Sequence, residues 1–117
     1  MANPNIVSVA TINGNTAYAN VTTVMTNLVT NSAASGKIFK VNALYLTNVT
    51  GGTVAFANVD IVRTSASYKL INSMDLPYKA TIDAISKSIY LLEGDTLRVQ
   101  AATNTTIQAI CSFEEIS

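Results

Sequence analysis

Histidine and tryptophan are missing from this 117-residue chain, and cysteine occurs once. Without imidazole no side chain with an ordinary pKa near neutrality is present for general base work, and every His-containing metal site is excluded. One thiol forms no internal disulfide. Charge is scarce as well: Asp, Glu, Lys and Arg make up 12% of the residues, about half of the roughly 25% usual in globular chains. Seven basic residues balance seven acidic ones, so no basic excess exists to neutralise phosphates or to hold an anionic membrane. Nucleic acid and membrane surfaces are not expected partners. No apolar run approaches the length of about 20 residues that a membrane-spanning helix needs. The first twenty residues lack a basic stretch followed by an apolar one, so they do not read as a secretory signal, and folding in a cytoplasm is expected.

What is present is apolar and uncharged polar. Hydrophobic residues account for 49% of the chain, enough to build one core, and the length suits a single domain over residues 1–117. Apolar residues recur mainly with period two, which places them on one face of an extended strand. The segment from Ile6 to Ile12 reads as a strand, Asn13-Gly14-Asn15 as a turn, and Thr16 to Thr23 as the returning strand of a hairpin. Val21, Val24, Met25, Leu28 and Val29 fall at helical spacing, but the β-branched residues around them lose side-chain freedom in a helix, so the stretch is read as strand. Lys37 to Thr50 is the strongest strand, with Phe39, Val41, Ala43, Tyr45 and Val49 on one face, Lys40, Asn42 and Asn48 on the other, and Leu44 and Leu46 breaking the polar side.

Gly51-Gly52 reads as the turn of a hairpin into Thr53 to Thr64, and Ser65-Ala66-Ser67 as a short linker to Tyr68–Met74. Pro77 marks a loop, followed by Lys79 to Ser86 and Ile89 to Leu92. Glu93-Gly94-Asp95 is a tight turn with Gly94 at positive φ. Beyond it Leu97, Val99 and Ala101 alternate cleanly inward, as do Ile107, Ala109, Cys111 and Phe113 after a second turn. Eight to ten short strands and no convincing helix predict an all-β fold, an antiparallel β-sandwich or jelly roll.

The acids are Asp60, Asp75, Asp83, Glu93, Asp95, Glu114 and Glu115. A glycosidase or aspartic protease needs two of them converging on one substrate. Glu93 and Asp95 flank a turn glycine and suit local amide bonding, while Glu114 and Glu115 are adjacent in a strand and face opposite ways. No calcium loop, phosphate-cradling glycine motif or nucleophile elbow is present, and only a weak surface cation site stays open. Cys111 has no histidine to activate it and reads as a small buried hydrophobe. The Asn-X-Ser/Thr triplets at Asn20, Asn48 and Asn104 are read as strand and turn residues. No catalytic, cofactor-binding or metal-binding residue is assigned, no cofactor is expected, and the chain is not read as an enzyme.

Two stretches, Ile89-Tyr-Leu-Leu-Glu-Gly-Asp-Thr-Leu-Arg-Val-Gln100 and Ala109-Ile-Cys-Ser-Phe-Glu-Glu-Ile-Ser117, resemble small virion structural proteins of tailed bacteriophages, cyanophages in particular. Ala2-Asn-Pro-Asn-Ile-Val and Ser35-Gly-Lys-Ile-Phe-Lys-Val-Asn42 are similar to the same group. The resemblance implies a β-rich piece of a phage particle, with no active-site residues to carry over. A small, neutral, low-charge β domain is poorly protected against association, so partners are expected to cover much of it. The expected function is a head decoration or cement protein, a homo-oligomer and specifically a trimer, held on the major capsid protein or other virion proteins. The alternatives are a tail, neck or fibre component, or a module binding host glycans through loops bearing residues such as Tyr68 or Tyr78.

Overall fold

The computed structural model describes residues 10–117. They form nine strands: β1 (Ile12–Val21), β2 (Thr26–Thr30), β3 (Ile38–Asn48), β4 (Ala55–Arg63), β5 (Ala66–Leu76), β6 (Thr81–Asp83), β7 (Ile89–Leu91), β8 (Thr96–Ala101) and β9 (Ile107–Ile116). One sheet runs β1-β9-β3-β6, with β7 also on β3, and the other runs β2-β8-β4-β5. All pairings are antiparallel. The pairs nest: β1 with β9, β2 with β8, β3 with β6 and β7, β4 with β5. A long antiparallel ribbon rolled up in this way is a jelly roll, and it resolves the sandwich-or-jelly-roll expectation.

The two sheets bury their facing sides against each other. Leu97, Val99 and Ala101 of β8 and Ile107, Ala109, Cys111 and Phe113 of β9 all lie in the core, on opposite sheets, as their alternation predicts. Phe113 packs on Phe39 of β3, with ring centroids 5.3 Å apart. β3 departs from simple alternation. Its register with β9 slips between Val41 and Ala43, leaving Asn42 as an extra residue. Such a bulge flips the parity of the strand. Phe39 and Val41 are therefore inside before it, and Leu44, Leu46 and Asn48 after it, while Tyr45 and Val49 turn outward, against the single-face reading of Phe39 through Val49.

Other local readings are corrected by the pairing. Asn13-Gly14-Asn15 is no turn; all three residues lie inside β1 and pair with Glu115, Glu114 and Phe113. The ladder to β9 holds the chain extended, overriding the Asn-Gly preference for a hairpin. The Ile6–Val9 part of the expected first strand lies outside the described residues. Gly51-Gly52 does not close a hairpin, because β3 and β4 belong to opposite sheets and the connection crosses between them. Ser65-Ala66-Ser67 is not a linker: Thr64 and Ser65, with φ of 53° and 61°, make a two-residue turn, and Ala66 already pairs with Arg63. Positive φ at both central positions is the type I′ geometry that suits a twisted hairpin. The stretch with helical spacing is extended, split by a bend between β1 and β2. Gly94 has φ 87°, as the Glu93-Gly94-Asp95 turn requires.

A candidate interaction surface

The outer side of the larger sheet gathers side chains from three strands. In β1 and β9, Tyr18 stands opposite Ile110, and in β3 Tyr45 stands opposite Ile110 from the other side. Strands are about 4.8 Å apart, so the three side chains form a row roughly 10 Å wide. All three are exposed, Tyr18 to 81%. The sheet places them there because β1 and β9 pair in unbroken register and because the Asn42 bulge turns Tyr45 outward. Without that slip Tyr45 would point into the core.

Uncharged polar groups border the row. On one side Gln108 Nε2 donates to Asn20 Oδ1 (3.0 Å), and the hydroxyls of Thr47 and Thr81 are 2.9 Å apart. On the other side Thr16, Ser112 and Ala43 stand in register. Asp83 is opposite Tyr45 on β6, but its Oδ1 accepts from the amides of Leu44 and Ile85, both at 3.2 Å. Tyrosines carry a large apolar body and a polar tip, and they favour contact with another protein surface.

Half of the charged residues pair with one another, and the most buried of them do. Arg98 forks onto Asp60, Nε to Oδ1 at 2.9 Å and Nη2 to Oδ2 at 2.8 Å, and Lys69 Nζ lies 3.9 Å from Oδ2. Asp60 is 1% exposed. Asp95 Oδ2 accepts from Arg63 at 2.9 and 2.6 Å and from the Leu92 amide at 2.8 Å. These hydrogen bonds raise the pKa of both arginines above the usual value. A hollow of about 460 Å³ beside Arg63, Thr64, Ser65 and residues 92–95 is thus walled by an ion pair that satisfies itself. Beside it, Oε1 of Glu93 is buried without a hydrogen-bond partner.

Glu114 and Glu115 also serve structure: Asn42 Nδ2 donates to Glu114 (2.9 Å), and Lys37 Nζ and Asn15 Nδ2 donate to Glu115 (3.3 and 3.1 Å). Cys111 is fully buried, and burial pushes its thiol pKa up to about 12. Tyr68, the third residue of β5, and Tyr78, past its end, are both exposed but separated by most of that strand. At about 3.3 Å per residue, they sit on the order of 30 Å apart and form no common site. Among the three Asn-X-Ser/Thr triplets, Asn48 is buried and its Nδ2 donates to the Thr53 and Leu76 carbonyls. Asn20 and Asn104 hold Gln108 and the Thr23 amide. The buried Asn31 likewise donates to the Lys37 and Leu91 carbonyls.

The Tyr18–Ile110–Tyr45 row had no signal in the sequence, since its members are scattered over nearly a hundred residues and only the strand order unites them. No protein-family profile matches the chain, and no curated protein matches its sequence. Among solved structures, the chain is similar to one from Bacillus endospore appendages, described as a family of disulfide-linked pili. The TM-score is 0.57 at 9% identity, over 100% of this chain and 96% of that one. The likeness is one of fold.

Proposed function

We propose that the chain is a structural protein that works by contact alone, a decoration or cement protein of a phage head that docks on capsid proteins through the outer side of its larger sheet. The observation that carries this reading is the uncharged row of Tyr18, Ile110 and Tyr45, an exposed contact surface on a domain with few charged residues. Burial of such a patch against a partner needs little charge desolvation. Many copies on a lattice then convert a modest contact into firm retention. The pili that share the fold are disulfide-linked. Here the one cysteine is buried, so copies are held by non-covalent contact.

The test is addition of purified protein to capsids that lack it, followed by pelleting. The wild type should co-sediment in hundreds of copies, and Tyr18→Ser combined with Tyr45→Ser should reduce retention at least tenfold while keeping the β-type circular dichroism spectrum. Capsids lacking the protein should fail at a lower temperature than complete ones. A protein found in only a few copies on the tail would move the reading to a tail, neck or fibre component. Binding to host envelope glycans, with none to capsids, would replace both.

A further inference from the structure

The sheets end in edges, and most of these carry features that stop another strand from docking. β6 and β7 are three residues each and divide one edge of the larger sheet between them. β2 has five residues and a register shift between Asn27 and Val29. β5 is long, but two register shifts bend it, Lys69 and Asp75 charge it, and Pro77 follows it. β1 has none of these protections. It runs ten residues in unbroken register with β9, holds no charged residue and no proline, and is exposed along most of its length. Among the described residues nothing pairs with its outer side.

We infer that β1 pairs antiparallel with β1 of a second copy about a two-fold axis through Thr16, joining the larger sheets of two molecules into one. Every second residue of an edge strand turns its N–H and C=O away from its neighbour, and a second strand satisfies them. A two-fold pair uses the same patch on both sides, so the strand must tolerate itself. β1 does, because no like charges meet.

The register follows from the faces. Opposed residues must share a side of the sheet, so even-numbered residues face even-numbered ones. An axis at Thr16 sets Ile12 against Asn20 of the partner subunit and Tyr18 against Gly14 of the partner subunit. Gly14 has open space where a Cβ would be, with nothing within 4 Å. An aromatic ring laid beside an edge glycine shields its bare backbone from water. The neighbouring register, centred on Ala17, sets Tyr18 against Thr16 and leaves that glycine without a ring. The pairing is two-fold, so the trimer expected from the sequence would need a second surface.

Sedimentation velocity of the full chain tests the pairing. The wild type should run as a dimer or an even multiple of the monomer. Thr16→Lys, which sets two like charges across the axis, should weaken association at least tenfold with an unchanged circular dichroism spectrum. Thr16→Cys should form a covalent dimer on mild oxidation, since opposed residues in an antiparallel pair lie within disulfide reach. Asn72→Cys, on the exposed part of β5, should not. A monomeric wild type, unchanged association in Thr16→Lys, or cross-linking of Asn72→Cys but not Thr16→Cys would each overturn the pairing. Capsid pelleting run in parallel separates the two ideas: its failure in a protein that still dimerises counts against the virion reading alone.

Discussion

The two long edge strands, β1 with ten residues and β5 with eleven, meet the same problem in opposite ways. β5 lies against β4 with two bulges, and its Lys69 reaches toward the buried Asp60 that Arg98 already holds. β1 pairs with β9 without a bulge and carries only Asn, Ala and single Ile, Gly, Thr, Tyr and Val residues. Bulges and charge are the usual means of keeping an edge from pairing with another chain. Their presence on one long edge and absence from the other argues that the open edge is used.

The largest effect is expected on the protected side. Asp60→Ala leaves Arg98 and Lys69, on the outer side of the smaller sheet, without their counter-charge. Loss of one partner of a buried pair costs about 3–5 kcal/mol, and because both cations keep partial access to water the low end of that range is expected. Urea denaturation measures it. If the division between the edges is real, the surviving folded protein should associate through β1 as strongly as the wild type.

Next comes the strand beneath β1. Cys111 of β9 stands opposite Ala17, and burial raises its pKa from 9.0 to about 12. Between those pH values the unfolded chain has released a proton that the folded chain keeps, so stability falls as pH rises from 9, by about 1.4 kcal/mol per unit, and is flat with respect to this group below 9. Arg63 and Arg98, raised above the usual guanidinium range by their carboxylate partners, add no slope in this window. Cys111→Ala should remove the alkaline slope. A thiol that reacts with alkylating reagents in the folded protein near pH 9 would show that the β1–β9 ladder itself opens, and that the exposure of β1 is not confined to its outer edge.

How far these regions could be read from the chain depends on the range of the interactions. The inward faces of β8 and β9 were legible because Leu97, Val99, Ile107 and Phe113 alternate without interruption, and so was the Gly94 turn, where a local conformation demands a glycine. The bulge at Asn42 was not, since an extra residue is recognised only against its partner strand. Gly14 misled for the same reason: Asn-Gly favours a turn in isolation, and the pairing with β9 outweighs it. Thr64 and Ser65 form a hairpin turn with neither Gly nor Asn to announce it. The absence of charge in residues 12–21 was visible throughout, but that they form an edge is a property of the strand order alone.

The hairpin turn offers a smaller effect on the β5 side. Left-handed φ at a β-branched residue such as Thr64 costs about 1–2 kcal/mol. Thr64→Asn with Ser65→Gly, the pair preferred in type I′ turns, recovers part of this, and the glycine gives some back through the unfolded chain. A net gain of about 1 kcal/mol in thermal or urea unfolding is expected, with no change in association. A change in oligomeric mass would place the β4–β5 end in the interface and undo the contrast between the two edges.

The smallest expected effect is also the most direct comparison of the two edges. Interactions between exposed charges fade as the screening length falls from about 10 Å at 0.1 M salt to about 3 Å at 1 M. β1 has no charge to screen, so a pair formed through it should change its dissociation constant less than about twofold across that range, which is under about 0.4 kcal/mol. A contact through β5 would set Lys69 and Asp75 near a neighbouring copy and would shift markedly with salt. Sedimentation equilibrium at several salt concentrations reads this without any substitution. A steep dependence would assign the contact to the charged edge, whereas a flat one is what a bond between uncharged backbones requires.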